Sequence, residues 1–228
     1  MEGRFVVRLP FHDRIEAGRL LGKELAKRLS RADSPANPIV LALPRGGVPV
    51  GAEVAAALDA PLDIVAVRKL GVPDRPELAM GAIAGGRIRT LDHALIRGLR
   101  ISQAEIDEVA REEAREAARQ EKLFRRGRAP LDLRDRTVIL VDDGLATGST
   151  MAAAVDYARD FSPKAIVAAA PVGSDEAVER LARAAGSCVC LATPRDFHAV
   201  GEWYRDFDQV SDKEVQQLLS VGSGKPRQ

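Results

Sequence analysis

Five short runs of Val, Ile, Leu and Ala constrain this chain more than any other feature. They are Pro38–Leu43 (PIVLAL), Leu62–Arg68 (LDIVAVR), Thr137–Val141, Ala165–Pro171 and Ser187–Ala192. Apolar residues follow one another in these runs with little alternation, which is the pattern of strands covered on both faces. Stretches with helical spacing separate them: Asp13–Arg31, Pro49–Leu58, Ser102–Arg126, Ser149–Phe161, Asp175–Ala185 and Ser211–Leu219. The alternation predicts an α/β fold, a parallel sheet flanked by helices. In such sheets ligands sit in the loops beyond the carboxyl ends of the strands. The chemistry should therefore lie after Leu43, Arg68, Val141, Pro171 and Ala192.

Local signals place the ends of several elements. Asp13 followed by Glu16 fits a capping box, and Ile15, Leu21, Leu25 and Leu29 recur near helical spacing. Pro49 opens the second helix. Ala82–Leu91 reads as a hairpin turning at Gly85–Gly86. In Ser102–Arg126 acids concentrate in the first half and bases in the second, as the helix dipole favours. Its apolar stripe is thin, Ile106 and Val109 and then mostly alanines, so it reads as a solvated face or a dimer contact, and a homodimer is expected. The 228 residues are expected to form one domain, with an insertion over 70–130 and a small cap over 194–220. Lys plus Arg (34) nearly balances Asp plus Glu (33), which gives no electrostatic case for nucleic acid or an anionic membrane. No signal-peptide core or membrane-length apolar run stands out, and Cys188 and Cys190 are too close for a disulfide framework, so a reducing cytoplasm is the expected compartment.

Val138–Thr150 reads VILVDDGLATGST. Four apolar residues lead to two adjacent carboxylates, a turn of small residues and a helix start. Backbone N–H groups at the helix N-terminus and the hydroxyls of Thr147, Ser149 and Thr150 make the turn a phosphate cradle. Asp142 and Asp143, at the strand end, can accept hydrogen bonds from sugar hydroxyls or face a hydrated Mg²⁺. A Walker loop is excluded, since Gly148 is followed by Ser149 without a lysine, and the spacing of a dinucleotide fingerprint fails. After the first strand, Leu43–Gly51 (LPRGGVPVG) offers Arg45 as charge and Gly46 and Gly47 as unobstructed backbone, an anion site. Arg68 and Lys69 leave the second strand on opposite faces. Of nine aromatics, Phe197, Trp203, Tyr204 and Phe207 fall within one short segment, either a stacking surface or a small core. Cys188 and Cys190 lack partners with metal-ligand spacing and read as small core residues.

The acid pair followed by ATGST resembles the phosphoribosyl-diphosphate (PRPP) motif of type I phosphoribosyltransferases, closest to the adenine-type version. The resemblance implies that Asp142 and Asp143 bind the ribose hydroxyls and that Ala146, Thr147, Gly148, Ser149 and Thr150 hold the 5′-phosphate. Arg45–Gly46–Gly47 resembles the family's pyrophosphate loop, which implies a cis peptide at Pro44–Arg45. Arg68 and Lys69 in VRKLGVP resemble the start of a flexible catalytic lid and are implied to meet pyrophosphate. FHAVGEWY resembles the base-covering hood of the 6-oxopurine enzymes, with Phe197 and then Trp203 as the implied stacking rings. Ala146 stands where those enzymes carry an aspartate, which weighs against hypoxanthine or guanine. Together with the segment FHDRxxAGRLL (Phe11–Leu21), the pattern is similar to a bacterial group described only as predicted phosphoribosyltransferases.

The resemblance implies transfer of the phosphoribosyl group of PRPP to a nitrogenous acceptor with release of pyrophosphate. Asp142, Asp143, Arg45 and Lys69 are the implied catalytic residues. Mg²⁺ is expected to arrive with PRPP and water, without dedicated protein ligands. A PRPP-sensing regulator without catalysis and a Mg²⁺-dependent phosphohydrolase are the alternatives.

Overall fold

The structure, a computed structural model, describes residues 7–30, 37–129 and 131–221. Five strands, β1 (Ile39–Ala42), β2 (Leu62–Ile64), β6 (Thr137–Val141), β7 (Ala165–Val172) and β8 (Cys188–Ala192), form an all-parallel sheet in the order β2-β1-β6-β7-β8. The absence of alternation is explained by the two cores. Val40, Ala42, Ile139, Val141 and Val167 face one layer, with helices α1 (Arg14–Leu29), α2 (Gly47–Leu58) and α7 (Asp212–Val221). Ile39, Leu41, Val138, Leu140 and Ala168 face the other, with α5 (Ser149–Arg159) and α6 (Asp175–Ala185). Since α2 follows β1 to one face and α5 follows β6 to the other, the connections part between two adjacent strands. That is a topological switch point, the place where open α/β sheets bind their ligands.

The run Leu62–Arg68, expected as one strand, is two. β2 ends at Ile64, and β3 (Val67–Val72) belongs to a separate antiparallel sheet with β4 (Arg75–Ala84) and β5 (Arg87–Leu91). Val65 and Ala66 between them are buried, so the apolar run continues through the break and hides it. The hairpin at Gly85–Gly86 forms as expected, with φ of 58° and 71°. The region expected as a lid is this antiparallel sheet, followed by α3 (His93–Leu99) and α4 (Gln103–Phe124). Leu70, Val72, Met80 and Ile83 of the small sheet share a core with Ile106 and Ala110. Arg89 anchors β5 to α5 through Asp160 at 2.8 Å and Asp156 at 3.5 Å.

The long charged helix is α4 (Gln103–Phe124), opened by a full capping box of Ser102 and Glu105. Its thin stripe suffices, because Ile106 and Ala110 meet the small sheet while Ala117 and Phe124 meet the main core. A short helix, α3 (His93–Leu99), precedes it with no buried residue, so no apolar period announced it. Asp13 caps α1 by accepting from Glu16 N at 2.7 Å, while the Glu16 carboxylate accepts from His12 N, one residue before the cap. Among the described residues no helix is long and apolar enough to cross a membrane.

Candidate active site

The loops after β1 and β6 leave the sheet side by side, since Leu43 N donates to Val141 O at 2.9 Å. The Pro44–Arg45 peptide is cis, as is Leu9–Pro10. A Cβ at Gly46 would stand 2.0 Å from Asp143 Oδ2, and one at Gly47 would stand 2.7 Å from the Val141 carbonyl oxygen. Glycine is therefore what lets the Arg45 turn lie directly against the acid pair. Arg45 sits at the rim, where Nη1 reaches Asp212 Oδ1 at 3.4 Å.

The turn beyond the acids is fixed from the neighbouring strand. Leu145 N donates to Val172 O at 2.9 Å, Ser174 N to Leu145 O at 2.9 Å, and Ser174 Oγ to Ala146 O at 2.8 Å. Gly148, with φ 69°, opens α5 without a side-chain cap. Ser149 N donates to Thr147 Oγ1 at 3.4 Å, and the further N–H groups of a helix's first turn are the usual donors to an anion. Ala146 and Thr147 are exposed beside them, and the Thr147 and Ser149 hydroxyl oxygens lie 3.1 Å apart.

The two carboxylates stand in different environments. Asp143 Oδ2 accepts from Arg14 Nε at 2.9 Å, with both side chains largely buried. Asp142 has no ion pair among the described residues; its Oδ1 accepts only the N–H of Asp143, at 2.9 Å. Burial pushes the Asp142 carboxyl well above the ordinary carboxylate range, and the charge of Asp143 adds to this. Burial also raises Asp143, against the pull of Arg14. Lys69, exposed on β3, is close enough to favour ionised Asp142, whereas Arg68 on the opposite face pairs with Glu113 of α4 at 2.7 Å. Among the described residues no three His, Cys, Asp or Glu side chains converge as a metal cluster. Two adjacent carboxylates at the edge of an anion site do fit Mg²⁺ that arrives with phosphate and water, because this ion keeps much of its hydration and takes one or two carboxylates.

The segment 194–210 closes over the acids. Tyr204 is buried and its hydroxyl donates to the Asp143 carbonyl at 2.6 Å. A Cβ at Gly144 would stand 2.4 Å from Val200 Cγ1. Phe197 and Trp203 stack on each other, with centroids 6.4 Å apart and planes 15° apart, and pack with Phe11 and Tyr204. They form the small core foreseen as one of two outcomes. The ring linked to the acid pair is Phe207, which lies under the Arg14 guanidinium at 3.8 Å. Cys188 and Cys190 are half-buried free thiols, pushed up by burial to about 11 and about 12, which suits inert packing.

Arg14 and Tyr204 were not foreseen. Arg14 reaches Asp143 from 129 positions away, and its only sequence signal was its place in FHDRxxAGRLL. The structure gives that segment a meaning. Phe11 pairs with Tyr204 as a β-bridge, Asp13 caps α1, and Arg14 at the first helical position extends to the acid.

Known proteins match this arrangement. A Mycobacterium tuberculosis relative, provisionally named a phosphoribosyl transferase, is 47% identical over 209 residues, which is 92% of this chain but 46% of the relative. The chain thus spans about half the length of that relative. The crystal structure of TT1426 from Thermus thermophilus superposes with a TM-score of 0.78 at 40% identity, covering 95% of this chain and 100% of that one. A Neisseria gonorrhoeae hypothetical protein crystallised with ppGpp shares the fold alone, with a TM-score of 0.50 at 13% identity over 95% of this chain and 99% of its own. The model of the phosphoribosyl transferase domain matches residues 13–203. That span runs from the cap of α1 through both strand-end loops to Trp203, and the chain belongs to the phosphoribosyl transferase domain family.

Proposed function

We propose that the chain transfers the 5-phosphoribosyl group of PRPP to a nitrogenous acceptor, a heterocyclic base, with release of pyrophosphate. The observation that carries this reading is the packing of Gly46 and Gly47 against Asp142 and Asp143 at the switch point, with the uncapped turn of α5 alongside. A cationic glycine turn, a carboxylate pair and an anion cradle then meet in one crevice, which matches a ligand bearing a diphosphate, a diol and a monophosphate.

Asp142 and Asp143 accept from the ribose hydroxyls and fix the ring. Positioning of this kind accounts for much of the barrier lowering in group transfer. As the C1–oxygen bond breaks, positive character builds on the sugar and negative charge on pyrophosphate. Arg45, the backbone of Gly46 and Gly47, and Lys69 stabilise the departing anion. Arg68, held by Glu113, is assigned no contact. Mg²⁺ bound with PRPP supplies further neutralisation of the leaving group. The acceptor nitrogen donates its electron pair to C1 and loses its proton to solvent.

Incubation with PRPP and Mg²⁺ across a panel of bases and amines tests the proposal. The expected result is acceptor-dependent pyrophosphate and a product heavier by one phosphoribosyl group. PRPP binding without turnover on any acceptor, or phosphate release without an acceptor, would overturn it.

A further inference from the structure

We propose that Arg180 is the charge partner of the phosphate held by the Ala146–Thr150 turn, acting through the loop at Gly148. This rests on the PRPP reading of that turn.

Ala177, Arg180 and Leu181 share one face of α6, and that face packs on the turn. A Cβ at Gly148 would stand 3.1 Å from Leu181 Cδ1, 3.3 Å from Ala177 Cβ and 3.3 Å from Arg180 Nη2. Arg180 Nε and Nη2 are both buried and neither has a hydrogen-bond partner. Among the described residues the other enclosed guanidinium groups are answered. Arg14 donates to Asp143 and to Asp208 O, Arg89 to Asp156 and to Ala84 O, Arg125 to Asp63 and Ala129 O, and Arg136 to Asn37 and Pro38. Glu179, the neighbouring acid on α6, pairs with Arg183 at 3.9 Å.

Two enclosed guanidinium nitrogens without a hydrogen-bond partner call for an explanation. The turn supplies the complementary deficit. From Leu145 to Met151 it carries no charged residue, so it offers a phosphate only neutral N–H and hydroxyl donors. A sugar phosphate is close to a dianion at neutral pH. Arg180 stands behind Gly148, where its charge meets that dianion across one turn of backbone. Its part is to raise the positive potential of the cradle and to hold the turn against α6. It is a positioning residue, beyond the neutral cradle that the motif itself describes.

Calorimetry of ribose 5-phosphate and of pyrophosphate against wild type, Arg180→Met and Arg180→Lys at low salt tests this, with thermal melts of all three. Arg180→Met is expected to weaken ribose 5-phosphate about tenfold or more, the scale of a charged contact. Arg180→Lys is expected to restore most of the loss, and pyrophosphate affinity should hold in every variant. If wild type binds ribose 5-phosphate and both variants bind it equally well, the inference is wrong. It is equally wrong if both ligands weaken together with the melting temperature, or if lysine gives no rescue. If wild type does not bind ribose 5-phosphate, the PRPP reading falls first and this inference with it.

Discussion

Replacing Arg14 by Met leaves Asp143 as a largely buried carboxylate without its cation. Removing one partner of a buried ion pair costs about 3–5 kcal/mol. Asp143 has one escape, which is to take up a proton. Asp143 already lies above the ordinary 3.8 because of burial, and without the pull of Arg14 its titration moves further up. The folded variant then holds a proton that the unfolded chain has released, so its stability falls as pH rises from the unfolded value through the folded one. At pH 8 the full loss of about 3–4 kcal/mol is expected, or about 6–16 °C in melting temperature for a chain of this size. At pH 5 proton uptake relieves more of the charge, and the expected loss falls towards about 1–2 kcal/mol, from the contacts to Asp208 O and the Phe207 ring. Urea melts of wild type, Arg14→Met, Asp143→Asn and the double variant at both pH values measure this. In the Asp143→Asn background the cost of Arg14→Met should shrink to about 1–2 kcal/mol and lose its pH dependence. Equal losses at pH 5 and pH 8, with no rescue by Asp143→Asn, would refute the assignment of Arg14 to the Asp143 charge.

Gly46→Ala puts a methyl 2.0 Å from Asp143 Oδ2, so the loops must part, and pyrophosphate and PRPP affinity should each fall about tenfold or more by calorimetry. Tyr204→Phe strands the Asp143 carbonyl that accepts its hydroxyl, and thermal melts should report a loss of about 1–3 kcal/mol. Asp142→Asn with Asp143→Asn should weaken PRPP by about 1–3 kcal/mol while inorganic phosphate binds as before; unchanged PRPP affinity would remove the acids from the sugar site. Phe207→Ala should raise the KM for the acceptor about tenfold and leave PRPP binding intact, if a base stacks near the acid pair. Phe197→Ala should act chiefly on stability, because its partner is Trp203; the opposite pattern would return the stacking role to Phe197.

The main sheet and its ligand loops were legible because each is local. Thr137–Val141 followed by DDGLATGST carries strand, acid pair and cradle in one stretch, and Asp175–Ala185 lies between a cap and Gly186. What escaped was decided by contacts between distant segments. The break at Val65–Ala66 lies inside a continuous apolar run, since buried strand and buried connection use the same residues. The small sheet packs on α4 and is tied to α5 through Arg89, and neither partner leaves a mark on the hairpin sequence. That Phe197 has Trp203 as its ring partner could not be read from the sequence, because aromatic composition is blind to partner choice. Arg14 and Arg180 are the clearest cases. In sequence each is one arginine on an amphipathic helix, among many. Only the fold delivers Arg14 to Asp143 and encloses Nε and Nη2 of Arg180, without a hydrogen-bond partner, behind Gly148. Backbone propensity and apolar period are written into neighbouring residues, whereas the pairing of charges depends on which surfaces the packed core brings together.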